Sequence, residues 1–419
     1  MTLHPILVAL RRHKAGVILI ALQIALTLAI VCNAVFIIGQ RVERIGRPTG
    51  LHEKDLFMVE QSWVGAPTGD DAASIEKLDA LQREDLATLR RLPDVLSVAA
   101  VNTLPLTNNS WGGGVSLKPD QNVTARTVYY FGDEQLLPTL GLKLIAGRAF
   151  NAGDIVHQGF RDTRTPPVVI VSKPLADSLF PHGDALGKTI YLNGGSATTT
   201  IIGIVARLQS SSTDSGSSGA DYNSVIEPVR LDAYFSHYVV RTRPGREQAV
   251  MAAARDALYA ANPMRVISDE PGDDNGIRSF AEIRDKAYRA DKGMAILMGV
   301  ICLILLGVTA AGIVGLTSFW VGQRHRQIGV RRALGARRID ILHYFQIENL
   351  LIAGAGVVLG VLLALGLNQW LMTHFEMTRM PVLYVVVGVV AMLALGQAAV
   401  FVPARRASNV PPVVATRSA

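Results

Sequence analysis

The sequence predicts a membrane protein with four transmembrane α-helices and a large α+β extracytoplasmic domain, in which a ferredoxin-like subdomain carries an inserted, mainly β subdomain. Hydrophobic residues make up 49% of the 419 residues and charged residues 18%, whereas soluble domains carry about 25% charged residues. The apolar residues lie mostly in four long runs, and the stretch between the first two runs has ordinary globular composition. These observations separate a membrane part from one large polar domain.

The four apolar runs predict membrane spans, because each reaches the roughly 20 residues needed to cross a bilayer. The spans are placed at 15–39, 291–321 (including the end of a stalk), 349–372 and 382–402. The first run is too long for a signal-peptide core and no small-residue cleavage site follows it, so it is predicted to stay as a helix. Gln23 and Asn33 in this run predict a face that packs on other helices. Gly356 and Gly360 are spaced for close helix approach, either within the chain or between two copies.

Short basic segments beside the spans predict the orientation. Arginine and lysine are concentrated in segments 1–14, 322–348 and 403–419, and they are scarce in the loop 373–381. The positive-inside rule therefore places both termini and segment 322–348 in the cytoplasm. By the same rule, domain 40–290 and loop 373–381 lie outside.

The net charge of +7 does not predict nucleic-acid binding. Residues 40–290 carry 27 Lys and Arg against 30 Asp and Glu, whereas the rest of the chain carries 14 against 4. The basic excess thus lies beside the spans, as membrane topology requires, and not on a phosphate-binding face. We expect contacts with membrane lipid and none with nucleic acid.

Two β-α-β patterns at the ends of domain 40–290 predict the ferredoxin-like subdomain. The first comprises Leu56–Glu60, Ala72–Leu92 and Val95–Val101, and the second comprises Tyr238–Arg241, Gly245–Ala261 and Met264–Ile267. The insertion is placed at about 103–230, with strands at Thr127–Phe131, Val168–Val171, Thr189–Leu192 and Thr199–Val205. We expect loops at Gly112–Gly114 and Gln209–Ala220, the latter mobile, and a continuous stalk helix from Ile277 to Lys292.

Known catalytic and cofactor motifs are absent from the sequence. It contains no GxxxxGK(S/T), GxSxG or HExxH pattern, the nine His residues show no metal-ligand spacing, and both Cys residues lie in apolar runs. The chain is therefore predicted not to be an enzyme, with no catalytic residue and no bound cofactor or metal. Ionisable residues are nearly absent from the spans, which weakens the hypothesis of ion-driven transport.

Segment 322–348 carries the strongest functional signal. Its arginines keep it out of the lipid, yet apolar residues recur near helical spacing, at Ile328, Val330, Ala333, Leu334, Ile339, Leu342 and Phe345. An amphipathic helix at the inner membrane surface fits this pattern, with a break at Gly335 before the third span. The alternative is a loop whose arginines only bind lipid phosphates.

Residues 327–337, with the sequence QIGVRRALGAR, resemble the signature loop of the MacB/FtsX-type ABC transporter permeases. Further parts that resemble this family are Gly147–Phe150 with Asp154, Val168–Ser172, Leu179–Phe180, Ala185–Lys188, Ile202–Val205 and the tail Pro403–Arg417. The likeness extends along the whole chain and implies a coupling helix that binds a partner ATPase. The implied ATPase-coupling residues are Ile328, Gly329, Val330, Arg331, Arg332, Ala333, Leu334, Gly335, Ala336 and Arg337.

The resemblance also implies a location, a function and partners. The chain would be a permease subunit in the cell inner (plasma) membrane, coupling ATP hydrolysis by a separate ABC ATPase to a change in its periplasmic domain and thereby extruding a substrate. ATP and Mg would be bound by the ATPase. A second permease copy or a sister permease, and a periplasmic adaptor protein, are further implied partners. The alternatives are a lipoprotein-release-type module and a membrane-anchored receptor or signalling module without transport.

Three features depart from the family pattern. MacB has an ATPase domain fused at its N-terminus, whereas this sequence starts almost at the first span, so the ATPase is expected to be a separate polypeptide. The first span, Ile18–Ala34, lacks the glycine-containing pattern common in the family. Pro411 and Pro412 stand where the tail usually has one proline.

Overall fold

The computed structural model describes residues 14–69, 71–109, 111–213, 220–268, 276–375 and 378–409. Three parts that the sequence analysis used lie outside the described residues. They are the basic residues before position 14, positions 376–377 of the predicted external loop, and the double proline Pro411–Pro412. Contacts divide the chain into two units. One comprises residues 1–45 and 291–419, and the other comprises residues 46–290.

The helices and strands of the described residues are numbered in chain order. The helices are α1 (Lys14–Ile45), α2 (Ala72–Arg90), α3 (Leu136–Leu140), α4 (Lys173–Leu179), α5 (Glu247–Ala261), α6 (Phe280–Ala287), α7 (Arg289–Gln323), α8 (His325–Ala333), α9 (Arg338–Phe375) and α10 (Val382–Ser408). The strands are β1 (Leu56–Trp63), β2 (Val95–Val101), β3 (Trp111–Ser116), β4 (Ala125–Phe131), β5 (Leu144–Gly147), β6 (Val156–Gly159), β7 (Val168–Ser172), β8 (Thr189–Leu192), β9 (Thr198–Val205), β10 (Ser224–Glu227), β11 (Val229–Asp232), β12 (Phe235–Thr242), β13 (Arg265–Val266) and β14 (Ile277–Ser279).

The first unit is a helical bundle. Among the described residues, α1, α7, α9 and α10 are long and apolar enough to cross a membrane, which confirms the four predicted spans. Helix α9 packs closely on α1, because a Cβ on Gly356 would lie 2.7 Å from the carbonyl oxygen of Ala21 and one on Gly360 would lie 3.0 Å from the Cα of Ala25. The glycine pair therefore serves packing within the chain.

Polar side chains join the apolar helices of this bundle. The side-chain amide of Gln23 donates to the carbonyl of Val308 at 3.1 Å, and that of Asn33 donates to the carbonyl of Ala364 at 3.1 Å. The hydroxyls of Thr27 and Thr309 are 2.7 Å apart. The predicted packing face of the first span is thus confirmed, and it contacts both α7 and α9.

The second unit contains the predicted ferredoxin-like sheet. Its strand order is β13-β1-β12-β2, each neighbour is antiparallel, and β14 also pairs with β1. Both predicted β-α-β patterns therefore lie in one sheet. Helices α2 and α5 cover it with one apolar core, to which Phe57, Leu86, Tyr238 and Leu258 contribute.

The inserted subdomain is built on a seven-stranded sheet in the order β5-β9-β7-β10-β4-β3-β8. Because β8 also pairs with β9, six of these strands close into a ring around a separate apolar core. Strands β6 and β11 form a parallel two-stranded ribbon beside it. The four predicted insertion strands are confirmed within β4, β7, β8 and β9, and β3, β5, β6, β10 and β11 were missed.

The loop expectation at Gly112–Gly114 is wrong, since these residues form the middle of β3. A Cβ on Gly113 would lie 2.0 Å from Oδ1 of Asn193 and 2.3 Å from the ring of Tyr129, and one on Gly114 would lie 2.2 Å from Val123. Glycine is needed here so that neighbouring side chains can lie directly over the strand.

Two further expectations are corrected. The stalk is not one helix, because Ile277–Ser279 pairs with β1, Ser279 and Glu282 form a capping box that starts α6, and the helix is interrupted at the fully buried Tyr288. The start of the loop predicted at Gln209–Ala220 packs into the domain, and residues 214–219 of that loop lie outside the described residues. Gln209 is 1% exposed, and it donates from its side chain to the hydroxyl of Tyr288 at 3.2 Å.

Candidate functional site

The candidate site is helix α8 with the turn that joins it to α9, in the segment predicted to be cytoplasmic. Ile328 is 5% exposed and lies in the core of the helical bundle, whereas Val330 is 45% and Leu334 83% exposed. Ile339, at the start of α9, is 53% exposed. Helix α8 therefore packs Ile328 on its own bundle, and the helix with its following turn presents the apolar side chains Val330, Leu334 and Ile339 away from that bundle.

Gly335 ends α8 with a specific turn. Its φ of +97° lies in the left-handed region, its N–H donates to the carbonyl of Arg332, and the N–H of Ala336 donates to the carbonyl of Arg331, both at 3.1 Å. This hydrogen-bond pair is a Schellman motif, which glycine adopts without a Cβ penalty. The predicted break at Gly335 is confirmed.

The next helix starts with a side-chain cap. The N–H of Arg337 donates to the carboxylate of Asp340 at 2.9 Å, and the N–H of Asp340 donates to the carbonyl of Arg337 at 3.1 Å. An acid in the first turn also complements the helix dipole. The turn between α8 and α9 is thus held at both ends by local hydrogen bonds.

Long-range contacts fix α8 on the bundle. Nη1 of Arg324, just before α8, lies 3.0 Å from both carboxylate oxygens of Glu348 in α9. The two side chains are 13% and 2% exposed. Arg332 donates to the carbonyl of Ser408 in α10 at 3.0 Å, and the guanidinium of Arg331 lies 5.2 Å from the ring centroid of Tyr344.

The structure divides the predicted coupling residues by exposure. Those exposed are Val330, Arg331, Ala333, Leu334, Gly335 and Arg337, those half-buried are Arg332 and Ala336, and those buried are Ile328 and Gly329. A partner can reach the first set, while Ile328 and Gly329 hold the helix in place. Sequence reasoning missed the pairing of Arg324 with Glu348, an acid at the start of the third span.

Among the described residues, one group brings together three side chains of metal-ligating type, namely Asp79, His157 and Asp232 in the polar domain. Asp79 is already neutralised, because Arg83 and Arg230 lie 2.7 Å and 3.0 Å from its carboxylate oxygens. A divalent cation would meet two guanidinium groups there. We therefore assign the group as an ion-pair cluster.

Two protein-family models match this chain. The FtsX-like permease C-terminal family matches residues 299–412. The MacB-like periplasmic core domain family matches residues 18–258, more than half of the chain. The chain belongs to the MacB/FtsX family of permeases. The resemblance carried by residues 327–337 is thereby confirmed, and so is a multi-pass membrane protein with a periplasmic-type domain.

Curated relatives of this MacB-like permease carry the name macrolide export ATP-binding/permease protein MacB. That of Chromobacterium violaceum is 26% identical over 282 residues, which cover 65% of this chain and 40% of the relative. That of Neisseria meningitidis is 27% identical over 315 residues, covering 74% and 45%. MacB 1/2 of Paracoccus denitrificans is 26% identical over 421 residues, covering 98% and 57%. The chain spans about half the length of the curated relatives it matches.

A solved structure also resembles part of the chain. The periplasmic region of MacB from Actinobacillus actinomycetemcomitans aligns with a TM-score of 0.32 and 14% identity, over 58% of this chain and 96% of that one. A TM-score this low adds nothing to the family assignment.

Proposed function

We propose that this permease is the membrane subunit of an ABC transporter whose ATPase is a separate polypeptide that docks on α8 and its following turn. ATP and Mg would be bound by that ATPase, and none by this chain. Movement at α8 would be passed to the periplasmic domain, which would expel a substrate from the periplasm or the outer leaflet. The observation that carries the proposal is the exposed apolar set Val330, Leu334 and Ile339 beside arginines on a helix fixed to its own bundle.

Burial of the exposed apolar set would favour docking. Fully burying a leucine side chain contributes about 1.5–3 kcal/mol, and Leu334 is the most exposed large apolar side chain of the described segment. Arg331 and Arg337, which are exposed beside it, suit bidentate contacts with carboxylates on a partner. Single exposed apolar side chains are common on protein surfaces, but here three of them, Val330, Leu334 and Ile339, are exposed within ten residues.

Rigid helices on either side of α8 would carry the movement. Helix α9 runs for 38 residues from the turn, which at 1.5 Å per residue is about 57 Å. Helix α7 runs for 35 residues and ends at α8. Because α8 is clamped to α9 by Arg324 and Glu348, a push on α8 would move α9 as one body.

A competing proposal is that the arginines only bind lipid phosphates and that the chain is a receptor or signalling module. The two proposals differ at Leu334. An ATPase interface would bury an aspartate placed there, with no partner and at a cost of several kcal/mol, whereas lipid phosphates would barely sense it. Since Leu334 is exposed in the chain itself, the substitution leaves its own fold intact.

The test is co-purification of an ATPase with the full chain in mild detergent, followed by mass analysis and ATPase assays. Leu334→Asp should reduce ATPase binding and turnover by at least about tenfold, and Arg331→Lys, which keeps the charge, should reduce them less. Leu96→Asp, at a 56% exposed leucine of β2, is the matched control and should change neither. Unchanged binding and turnover in Leu334→Asp would refute the coupling role. The measured mass also tests the proposed pairing with a second copy or a sister permease, and the proposed periplasmic adaptor.

A further inference from the structure

The two subdomains of the polar domain meet at a polar contact between α2 and the ribbon β6–β11. The side-chain amide of Gln82 in α2 donates to the carbonyl of Leu231 in β11 at 2.6 Å. Arg230 of β11 donates to the carboxylate of Asp79 in α2 at 3.0 Å. The ferredoxin-like subdomain and the insertion are thus joined by charged and hydrogen-bonded groups.

His157 of β6 lies at the centre of this contact. Its Nδ1 is 3.0 Å from Oδ2 of Asp232 and 3.5 Å from Oδ1 of Asp79. The Asp232 side chain is 0% exposed, that of Asp79 is 9% and that of His157 is 42% exposed. A proton on Nδ1 therefore faces one carboxylate from the ribbon and one from α2, both shielded from water, where charge pairing is stronger than at the surface.

The charged groups around His157 come from three segments. Helix α2 supplies Asp79, whose second oxygen is 2.7 Å from Arg83. Strand β11 supplies Asp232 and Arg230. After β6, Arg164 donates to the carbonyl of His157 at 3.0 Å and pairs with Asp162 at 2.5 Å. Within the described part of the chain, the imidazole is the cationic group that forms an ion pair with Asp232, and the charge of Arg230 also acts on this carboxylate.

We propose that His157 is a proton-operated latch: its protonated imidazole joins β6 to Asp232 of β11 and to Asp79 of α2, and its neutral form weakens both contacts, so that Arg230 and Gln82 are left to hold the ribbon on α2. The latch does not depend on the coupling role of α8. Since β11 ends at Asp232 and β12 begins at Phe235, the weakened contact would loosen the insertion at its junction with a central strand of the ferredoxin-like sheet. A domain outside the cytoplasm takes the pH of its surroundings, so the latch would adjust the domain to that pH.

The direction of the pH effect follows from the local charges. The hydrogen bond to Asp232 and the charges of Asp232 and Asp79 raise the pKa of His157, against the effect of burial and of Arg230. Burial also raises the pKa of Asp232. A raised imidazole pKa means that the contact is complete below the unfolded value of about 6.5 and is lost as pH rises through the folded value above it. The latch is therefore closed in mild acid and opens on the alkaline side.

Hydrogen exchange of the purified full chain in mild detergent tests this at pH 6 and pH 8.5, with rates corrected for intrinsic exchange. Amides of residues 156–159 and 229–232 should be about fivefold less protected at pH 8.5, the size expected for a charged hydrogen bond with one half-exposed partner. In His157→Gln these amides should show low protection at both pH values. His182→Gln, at an exposed histidine, is the matched control and should behave like the parent chain.

A second variant keeps the test decisive if His157→Gln fails to fold. Asp232→Asn retains an acceptor oxygen but removes the charge, so the loss of protection should shift to lower pH. Equal protection of the ribbon amides at both pH values in the parent chain would overturn the latch. So would a pH-dependent loss that persists in His157→Gln, or an unshifted transition in Asp232→Asn.

Discussion

The buried pair Arg324–Glu348 allows a quantitative test of how α8 is held on the membrane bundle. Nη1 of Arg324 is 3.0 Å from both carboxylate oxygens, and the side chains are only 13% and 2% exposed. Removing one partner of a buried pair leaves a desolvated charge and costs about 3–5 kcal/mol. Because Arg324 keeps some contact with solvent, we expect Glu348→Gln to lower the free energy of unfolding by about 3 kcal/mol.

A double-mutant cycle isolates this interaction from other effects of each substitution. In this cycle Arg324→Met alone leaves the Glu348 carboxylate buried and Glu348→Leu alone leaves the Arg324 guanidinium buried, so both should destabilise, whereas the double variant Arg324→Met with Glu348→Leu replaces the pair by apolar side chains and should be nearly neutral. The measurement is equilibrium unfolding by SDS in mixed micelles, where the three variants are compared with the parent chain. A coupling energy near zero would show that the pair does not hold α8 on α9.

Two other predictions use single substitutions. Cysteines introduced at the exposed Ala73 and Asn409 should react with a membrane-impermeant maleimide from opposite sides of the membrane. The reason is that the positive-inside rule places the polar domain outside and the tail inside. Labelling of both cysteines from one side would contradict the topology. Burial raises the pKa of Glu227 to about 8, so the folded chain keeps a proton that the unfolded chain loses. The free energy of unfolding should therefore fall by up to about 4 kcal/mol as pH rises from about 4.5 to 8. Glu227→Gln should abolish that fall in chemical unfolding followed at pH 5 and pH 8, and an unchanged pH dependence would mean that the carboxyl is ionised in the folded domain.

The coupling segment shows how far pattern reasoning reached at the candidate site. Helical spacing of apolar residues predicted α8, and Gly335 predicted its end, since both signals lie within one short stretch of chain. The same spacing could not show which of these apolar side chains pack on the helical bundle. Ile328 is buried and Leu334 is exposed although both belong to the apolar residues that recur near helical spacing, because only the packing of α8 on α10 decides between them.

In the polar domain, the sequence predicted the ferredoxin-like sheet from two β-α-β patterns that are far apart in the chain. Strong alternation and long helices between strands made those patterns visible. The missed strands β5, β6 and β10 have four residues each and so carry little periodic signal, although β8, of the same length, was predicted. Their existence depends on neighbours in the closed ring, which a local window does not contain.

The sequence by itself determined the membrane part and the family. An apolar run in hydrocarbon has to satisfy its own backbone hydrogen bonds, so each run of this length becomes a helix whatever its neighbours are. Only the tertiary structure decided that the glycines of β3 lie beneath Tyr129 and Asn193, that Glu348 pairs with Arg324 and that His157 meets Asp79 and Asp232. These contacts join residues from separate elements. The free energy of each contact depends on burial and on the distance between the groups, and only the folded structure defines both.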